Sequence, residues 1–134
     1  MVRNNLKRQK ENKMGWTKEE ILEYNKRCAA ICGWTNLNDD SFPEYIDKLG
    51  NFYSMKDLMF HSDWNWIHEV VEAIEKLPVK DTEYAASYSV VIYGNSCYIE
   101  VNGYVSYTLI NEITASTKQE AVVQAINQFL IWKI

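Results

Sequence analysis

The sequence predicts an α+β fold in which a three-stranded antiparallel meander packs against amphipathic helices. Two observations lead to this class. Apolar residues recur every three or four positions in 61–77 and 116–130, as they do on one face of a helix. Between 84 and 113 the period changes to alternation, and β-branched and aromatic residues dominate. Because such elements bury their apolar faces against one another, we expect the order helix, loop, helix, three strands, helix in one domain.

The start of the chain differs in charge from the rest. Residues 1–13 contain five basic side chains and one acidic one, whereas residues 14–134 have a net charge of −8. We therefore divide the chain into a basic N-terminal arm, residues 1–16, and one α+β domain, residues 17–134. The acidic domain repels phosphate, so nucleic-acid contact is expected only through the arm, and we prefer a solvated tail. The basic side chains of the arm are Arg3, Lys7, Arg8, Lys10 and Lys13.

A first helix is predicted to begin at Thr17. Thr17 and Glu20 have the spacing of a capping box, in which each side chain accepts a hydrogen bond from a free amide of the opening turn. Gly33 stands where helices commonly end in a left-handed residue. The apolar stripe of this helix consists of Ile21, Tyr24, Cys28 and Ile31.

A long connection is predicted over residues 34–60, with a short helical turn at 43–49. Asparagine, aspartate, proline and glycine interrupt it, which is typical of loops. It also contains six aromatic residues. These rings either pin the loop over one face of the sheet, which we prefer, or line a ligand pocket. They are Trp34, Phe42, Tyr45, Phe52, Tyr53 and Phe60.

The second helix is the clearest element of the sequence. Ser62 or Asp63 caps its first turn, and Pro78 cannot continue its hydrogen-bond ladder. Trp66 follows Trp64 by about 200° around the helix axis. We therefore expect Trp64 to be buried and Trp66 to lie on another face. The apolar stripe is Trp64, Ile67, Val70, Val71, Ile74 and Leu77.

Three strands are predicted in quick succession, over 84–93, 97–101 and 104–113. Gly94-Asn95-Ser96 forms the first turn, and Asn102-Gly103 is the strongest short hairpin signal in the chain. The alternation predicts one buried face of the sheet. The apolar residues assigned to that face are Val90, Ile92, Cys97, Ile99, Val101, Val105, Leu109 and Ile113.

The last helix is predicted to begin at residues 116–120, where two capping boxes overlap. It runs almost to residue 134. Its helical spacing predicts a second amphipathic layer of the domain. The apolar side chains at that spacing are Ala121, Val122, Ala125, Ile126, Phe129 and Leu130.

Several protein classes are disfavoured by composition. No segment reaches the roughly 18 consecutive apolar residues of a membrane helix, and the N-terminus lacks the apolar centre of a secretory signal. We therefore expect an intracellular protein without membrane contact. Three cysteines, Cys28, Cys32 and Cys97, are an odd and sparse set, which does not indicate a disulfide framework.

The sequence contains no recognisable catalytic or metal-binding pattern. His61 and His68 lie in another segment from Cys28 and Cys32, without the ligand spacing of a zinc site. His61 at the helix entrance is interpreted as a capping or loop residue and not as a general base, because no partner residue can be identified for it. No glycine-rich phosphate loop is present. We therefore expect no enzymatic activity, no catalytic residue, no cofactor and no metal.

Two of the predicted helices resemble those of a known group of proteins. The resemblance rests on Trp64-x-Trp66-x-x-x-Val70-Val71-Glu72-x-Ile74-Glu75-x-Leu77 and on Lys118-x-Glu120-Ala121-Val122-x-x-Ala125-Ile126-x-x-Phe129-Leu130-x-Trp132. These patterns, with a weaker likeness at Cys32-Gly33-Trp34, resemble small uncharacterised proteins of Bacteroidetes phages and prophages, similar to the phage ABA sandwich domain family. The likeness covers most of residues 17–132. It implies an α/β/α sandwich and a phage accessory origin, but its motifs are packing motifs and transfer no catalytic residue.

These observations together predict a function by binding. We expect a non-enzymatic phage-type accessory protein that binds a host protein in the bacterial host cytoplasm, as a counter-defence inhibitor or adaptor. The alternative is a small-molecule binder that sequesters a nucleotide second messenger of host defence, because aromatic rings stack on nucleobases as readily as they anchor proteins. Assembly of identical copies is left open. The candidate binding residues are Trp34, Asp39, Asp40, Phe42, Tyr45, Tyr53, His61 and Trp66.

Overall fold

The computed structural model describes residues 14–37, 44–79 and 86–133. Within these parts of the chain, three α-helices and two three-stranded antiparallel sheets form an α+β fold, which confirms the predicted class. The helices are α1 (Lys18–Ile31), α2 (Trp64–Glu75) and α3 (Lys118–Lys133). The small sheet consists of β1 (Thr35–Asn36), β2 (Tyr45–Ile46) and β3 (Phe52–Tyr53), and the large sheet of β4 (Ser87–Tyr93), β5 (Ser96–Asn102) and β6 (Tyr107–Thr114).

Helix α1 begins and ends as its sequence predicts. The Glu20 amide donates to Thr17 Oγ1 at 3.1 Å, and the Thr17 amide donates to Glu20 Oε1 at 3.1 Å, which completes the capping box. At the other end, the amides of Gly33 and Trp34 donate to the carbonyls of Ala30 and Ala29. This pair of hydrogen bonds is a Schellman motif, and it requires the positive φ of +78° that Gly33 adopts.

The connection between α1 and α2 is more regular than a loop. It contains the small sheet and a 3-10 helix, Met55–Asp57. The predicted helical turn at 43–49 is wrong, because Tyr45 and Ile46 pair with strands on both sides and the chain then reverses. Gly50, with φ +88°, lies in that reversal. Pro43 lies outside the described residues.

The large sheet is the predicted meander, with one hairpin changed. The first turn lies where it was predicted but is one residue shorter: Gly94 and Asn95 join β4 to β5, and Ser96 pairs with Tyr93 as the first residue of β5. The second hairpin was predicted to turn at Asn102-Gly103. Instead Asn102 is the last residue of β5, paired with Ser87 on β4, Val101 pairs with Tyr107, and residues 103–106 form the loop between β5 and β6.

A shift in register between β5 and β6 changes which side chains point inward. The pairing is irregular between Cys97 and Ile99 and between Ile99 and Glu100. An extra residue in a strand moves the following side chains to the opposite face. Ile110 is therefore buried. Val105, which was assigned to the buried face, is 71% exposed because it lies in the loop before β6 and not in the strand.

The core lies between the large sheet and the helices. Cys97, Ile99 and Val101 of the central strand are buried, and α3 packs across β5 and β6. Helix α2 packs along β4, where Glu75 Oε2 accepts the Val90 amide at 3.2 Å, and α1 packs on α2 and α3. The three helices thus contact one another, and α2 and α3 also contact the large sheet. The second helical layer of an α/β/α sandwich is not confirmed.

Two tryptophans lie differently from their predicted places. Trp64 was expected to be a full core residue, but it is half-buried beside His68, with ring centroids 5.4 Å apart. It is the first residue of α2, so only part of its surface is covered, while Ile67 of the same stripe is fully buried. Trp16, assigned to the arm, packs against Tyr24 with ring centroids 5.3 Å apart. Residues 1–13 lie outside the described residues.

Candidate functional site

Three of the predicted binding residues meet in one place. Trp34, Tyr53 and Trp66 form an aromatic cluster together with Phe60. The centroid of Trp34 lies 5.1 Å from Tyr53, 5.1 Å from Phe60 and 5.3 Å from Trp66. Trp66 in turn lies 5.2 Å from Tyr53 and 4.9 Å from Phe60. These are direct contacts between rings, so the four side chains pack as one unit.

Each ring is positioned by a different element. The Schellman motif at the end of α1 places Trp34, strand β3 places Tyr53, and the first turn of α2 places Trp66. The backbone before Phe60 is attached to α1, because the Tyr24 hydroxyl donates to the Phe60 carbonyl at 3.1 Å. The cluster therefore joins α1, the small sheet and α2.

The cluster is closed inside and open at its edge. Phe60 is fully buried and Trp34 is 8% exposed, whereas Tyr53 and Trp66 are half-buried. Since the rings touch one another, no gap between them admits a nucleobase. The surface of the cluster consists of the outer edges of Tyr53 and Trp66.

A tight turn, residues 47–51, lies between β2 and β3 and is held by one carboxylate. Asp47 Oδ1 accepts the amides of Leu49 at 2.9 Å and Asn51 at 2.8 Å. Asp47 Oδ2 accepts the Asn51 side-chain amide at 3.1 Å and the Tyr53 hydroxyl at 3.4 Å. Partial burial raises the pKa of Asp47, but these hydrogen bonds outweigh it and lower the pKa below its ordinary value. The β2–β3 turn is thus a fixed support.

Charged groups surround the half-buried rings. Partial burial raises the pKa of Glu69; the nearby Trp34 indole opposes the rise, and the charge of Asp47 adds to it. The Trp34 N–H itself has no hydrogen-bond acceptor at ordinary distance among the described residues. Lys48 lies against Gly33, where its Cε is 3.0 Å from the position that a Cβ would occupy. The site therefore combines aromatic edges with carboxylates and one nearby ammonium group.

Two other predicted residues have internal partners. Tyr45 is 2% exposed, and its hydroxyl accepts a hydrogen bond from Asn36 Nδ2 at 3.4 Å. The Nδ1 atom of His61 lies 3.1 Å from Asn25 Nδ2, which also donates to the Leu58 carbonyl at 3.1 Å. Burial lowers the pKa of His61 and so favours the neutral ring, which accepts at Nδ1. Both residues hold the connection to the core.

Asp39, Asp40 and Phe42 lie outside the described residues, and their assignment to a binding site stays a prediction.

The other face of the small sheet contains residues that were not selected from the sequence. Side chains directly opposite in an antiparallel sheet share a face, so Phe52 joins Ile46 and Thr35 on the side away from Tyr53.

We call this side the outer face. Phe52 is 63% exposed, and Leu49 in the β2–β3 turn is 88% exposed. The sequence contained one signal for this face. Adjacent residues of a strand point in opposite directions, so Phe52 and Tyr53 lie on opposite faces if they belong to a strand.

No set of three or more His, Cys, Asp or Glu side chains in the described ranges is arranged to hold a metal ion. The thiols of Cys28, Cys32 and Cys97 are buried, and burial raises their pKa, to about 12 for Cys32 and Cys97. No helix in the described parts of the chain is both long enough and apolar enough to cross a bilayer.

Comparisons with protein-family models, curated proteins and solved structures found no match to this chain.

Proposed function

We propose that this chain is a non-enzymatic, phage-type accessory protein that binds a host protein in the bacterial cytoplasm, as a counter-defence inhibitor or adaptor. The phage origin is supported by the resemblance of the helices at 64–77 and 118–132. The observation that carries the binding function is the exposure of Phe52 and Leu49 on a rigid support. Exposed large apolar side chains of this kind commonly mark protein interfaces.

The support beneath these side chains reduces the cost of binding. Asp47 accepts hydrogen bonds from three residues of the β2–β3 turn and β3, and Tyr53, next to Phe52, stacks on Trp34. A preorganised surface loses less conformational freedom when a partner docks. Aromatic anchors on such surfaces account for much of the binding energy of many complexes. Phe52 is therefore the central residue of the proposed site.

A protein partner fits this geometry better than a nucleotide second messenger does. Sequestration of a nucleotide would need an open slot between aromatic rings, and the rings of the aromatic cluster touch one another. The carboxylates of Asp47 and Glu69 beside the cluster also oppose a phosphate group. Phe52 and Leu49, by contrast, are exposed apolar side chains that a protein can cover.

The test is quantitative capture of partners from host cells. Tagged parent protein and the variants Phe52→Ser, Leu49→Ser and Tyr93→Ser are expressed in the host, and the bound proteins are identified by mass spectrometry. Tyr93 is the matched control, because it is a 51% exposed aromatic residue on the large sheet. We expect a partner whose recovery falls with the first two variants and not with the third. For a hot-spot residue, loss of about 2 kcal/mol weakens binding roughly 30-fold.

Two results would contradict the proposal. One is that the same partners are recovered equally with all four proteins. The other is that native mass spectrometry of the purified parent finds a retained nucleotide and no bound protein, which would favour sequestration.

A further inference from the structure

A second group of exposed apolar side chains lies in the loop before β6, at the start of β6 and at the end of α3. We call it the hairpin–helix patch. Every member is at least half exposed, although all are large apolar or aromatic residues. Its members and their exposed fractions are Tyr104 82%, Val105 71%, Tyr107 52%, Ile131 51% and Trp132 52%.

The two halves of the patch are joined by contacts beneath them. Tyr88, Val101 and Tyr107 are paired across the three strands of the large sheet and so form one row on one face. Trp132 lies over this row, with its ring centroid 6.4 Å from that of Tyr88. Burial raises the pKa of Tyr88, and the neighbouring Tyr107 raises it further. Tyr107 of the sheet and Trp132 of the helix thus both lie beside Tyr88, which joins the two halves of the patch.

The area of the patch matches what a specific interface needs. Taking about 150–250 Å² for a whole side chain of this size, its exposed parts amount to roughly 600 Å². Two such surfaces in contact bury roughly 1,200 Å², at the lower end of the range for stable complexes. A patch of this size is also at the upper end of what monomers expose.

The distribution of charge indicates which partner fits. The whole chain has a net charge of −4, so two copies repel each other across most of their surfaces. Residues 101–111, which include half of the patch, contain no charged side chain. Charged residues are depleted at the centre of protein interfaces, and contacts between identical subunits are more apolar than other interfaces. A second copy is thus able to approach here without repulsion, whereas a basic partner gains nothing from this surface.

We propose that the hairpin–helix patch is the interface of a homodimer, in which each copy covers the patch of the other about a twofold axis. Such an isologous contact uses the same surface twice and closes without further growth. Lys133, exposed at the end of α3, lies beside Trp132 in the chain and belongs to the polar rim. The interface leaves the outer face of the small sheet free, so this proposal does not depend on the proposed function.

Sedimentation velocity and light scattering on the full chain test the proposal. We expect a mass of twice 15.7 kDa at high micromolar concentration, with dissociation on dilution. Val105→Glu and Ile131→Glu, made separately, place like charges across the twofold axis and should give monomers. Leu49→Glu is the matched control, since it adds the same charge at an 88% exposed leucine outside the patch, and should stay dimeric.

Each other result overturns the proposal. A parent that is monomeric at all concentrations has no such interface. A parent dimer that persists in both patch variants uses another surface, and a control that dissociates together with them shows a general effect of charge. Circular dichroism of each variant is measured first, to show that the variant is folded. Because the substituted residues are exposed, we expect the core to remain unchanged.

Discussion

Replacing Phe60 by alanine should destabilise the protein strongly, because this buried ring packs between Trp34 at the end of α1 and Trp66 on α2. Phe60 is fully buried and contacts Trp34 and Trp66 at centroid distances of 5.1 and 4.9 Å. Truncating a buried phenylalanine to alanine costs about 3–5 kcal/mol, from lost burial and the cavity that remains. For a domain of this length we expect the melting temperature to fall by roughly 10–20 °C.

Phe52→Ala is the matched control for this change. The same side chain is removed, but Phe52 is 63% exposed, so the loss should be within about 1 kcal/mol. Urea unfolding followed by circular dichroism measures both variants, and an unchanged slope with denaturant shows that the midpoint reports stability. If Phe60→Ala is as stable as Phe52→Ala, the aromatic cluster is not a rigid support, and the reasoning that links it to binding fails.

Three further predictions concern the rest of the core. Burial lowers the pKa of His61, so the folded state favours its neutral form. The free energy of unfolding should therefore fall as the pH drops from the pKa of an unfolded histidine, about 6.5, towards the lower pKa of the folded state. Urea titrations at several pH values measure this dependence, and His61→Gln should flatten it. Burial raises the pKa of Cys32 and Cys97 to about 12, so a thiol reagent at mildly alkaline pH should label neither until denaturant is added; rapid labelling of the native protein would contradict their placement. Trp64→Ala should cost about 1–3 kcal/mol, less than Phe60→Ala, because Trp64 is half-buried, and an equal loss in thermal melts would place it in the core after all.

Elements that depend on local signals were predictable from the sequence. The Thr17 capping box, the end of α1 at Gly33 and the stripe of Ile67 and Val70 each follow from residues within one or two turns. The turn of the second hairpin was not predictable from local signals. Asn102 continues β5 because it pairs with Ser87 of β4, fifteen positions earlier in the chain. Register shifts of this kind depend on tertiary pairing, which local patterns do not encode.

Part of the aromatic cluster was predictable from the sequence, but its shape and the exposed residues Phe52 and Leu49 were not. Trp34 and Tyr53 belong to the aromatic-rich segment 34–60 and Trp66 to the helix that follows it, and the three do meet. The small sheet that separates Phe52 from Tyr53 was missed, because strands of two residues leave almost no periodic signal. Without the sheet, the exposed residue of the pair could not be distinguished from the packed one.

The central claim, that Phe52 on the outer face contacts a host protein, is tested most directly by crosslinking from that position. A photoreactive phenylalanine analogue is placed at position 52 and, in a second protein, at position 93, both at exposed aromatic residues. After irradiation in host cells, we predict a discrete crosslinked host protein from position 52 that is absent from position 93. No crosslink from position 52, or the same product from both positions, would contradict the claim.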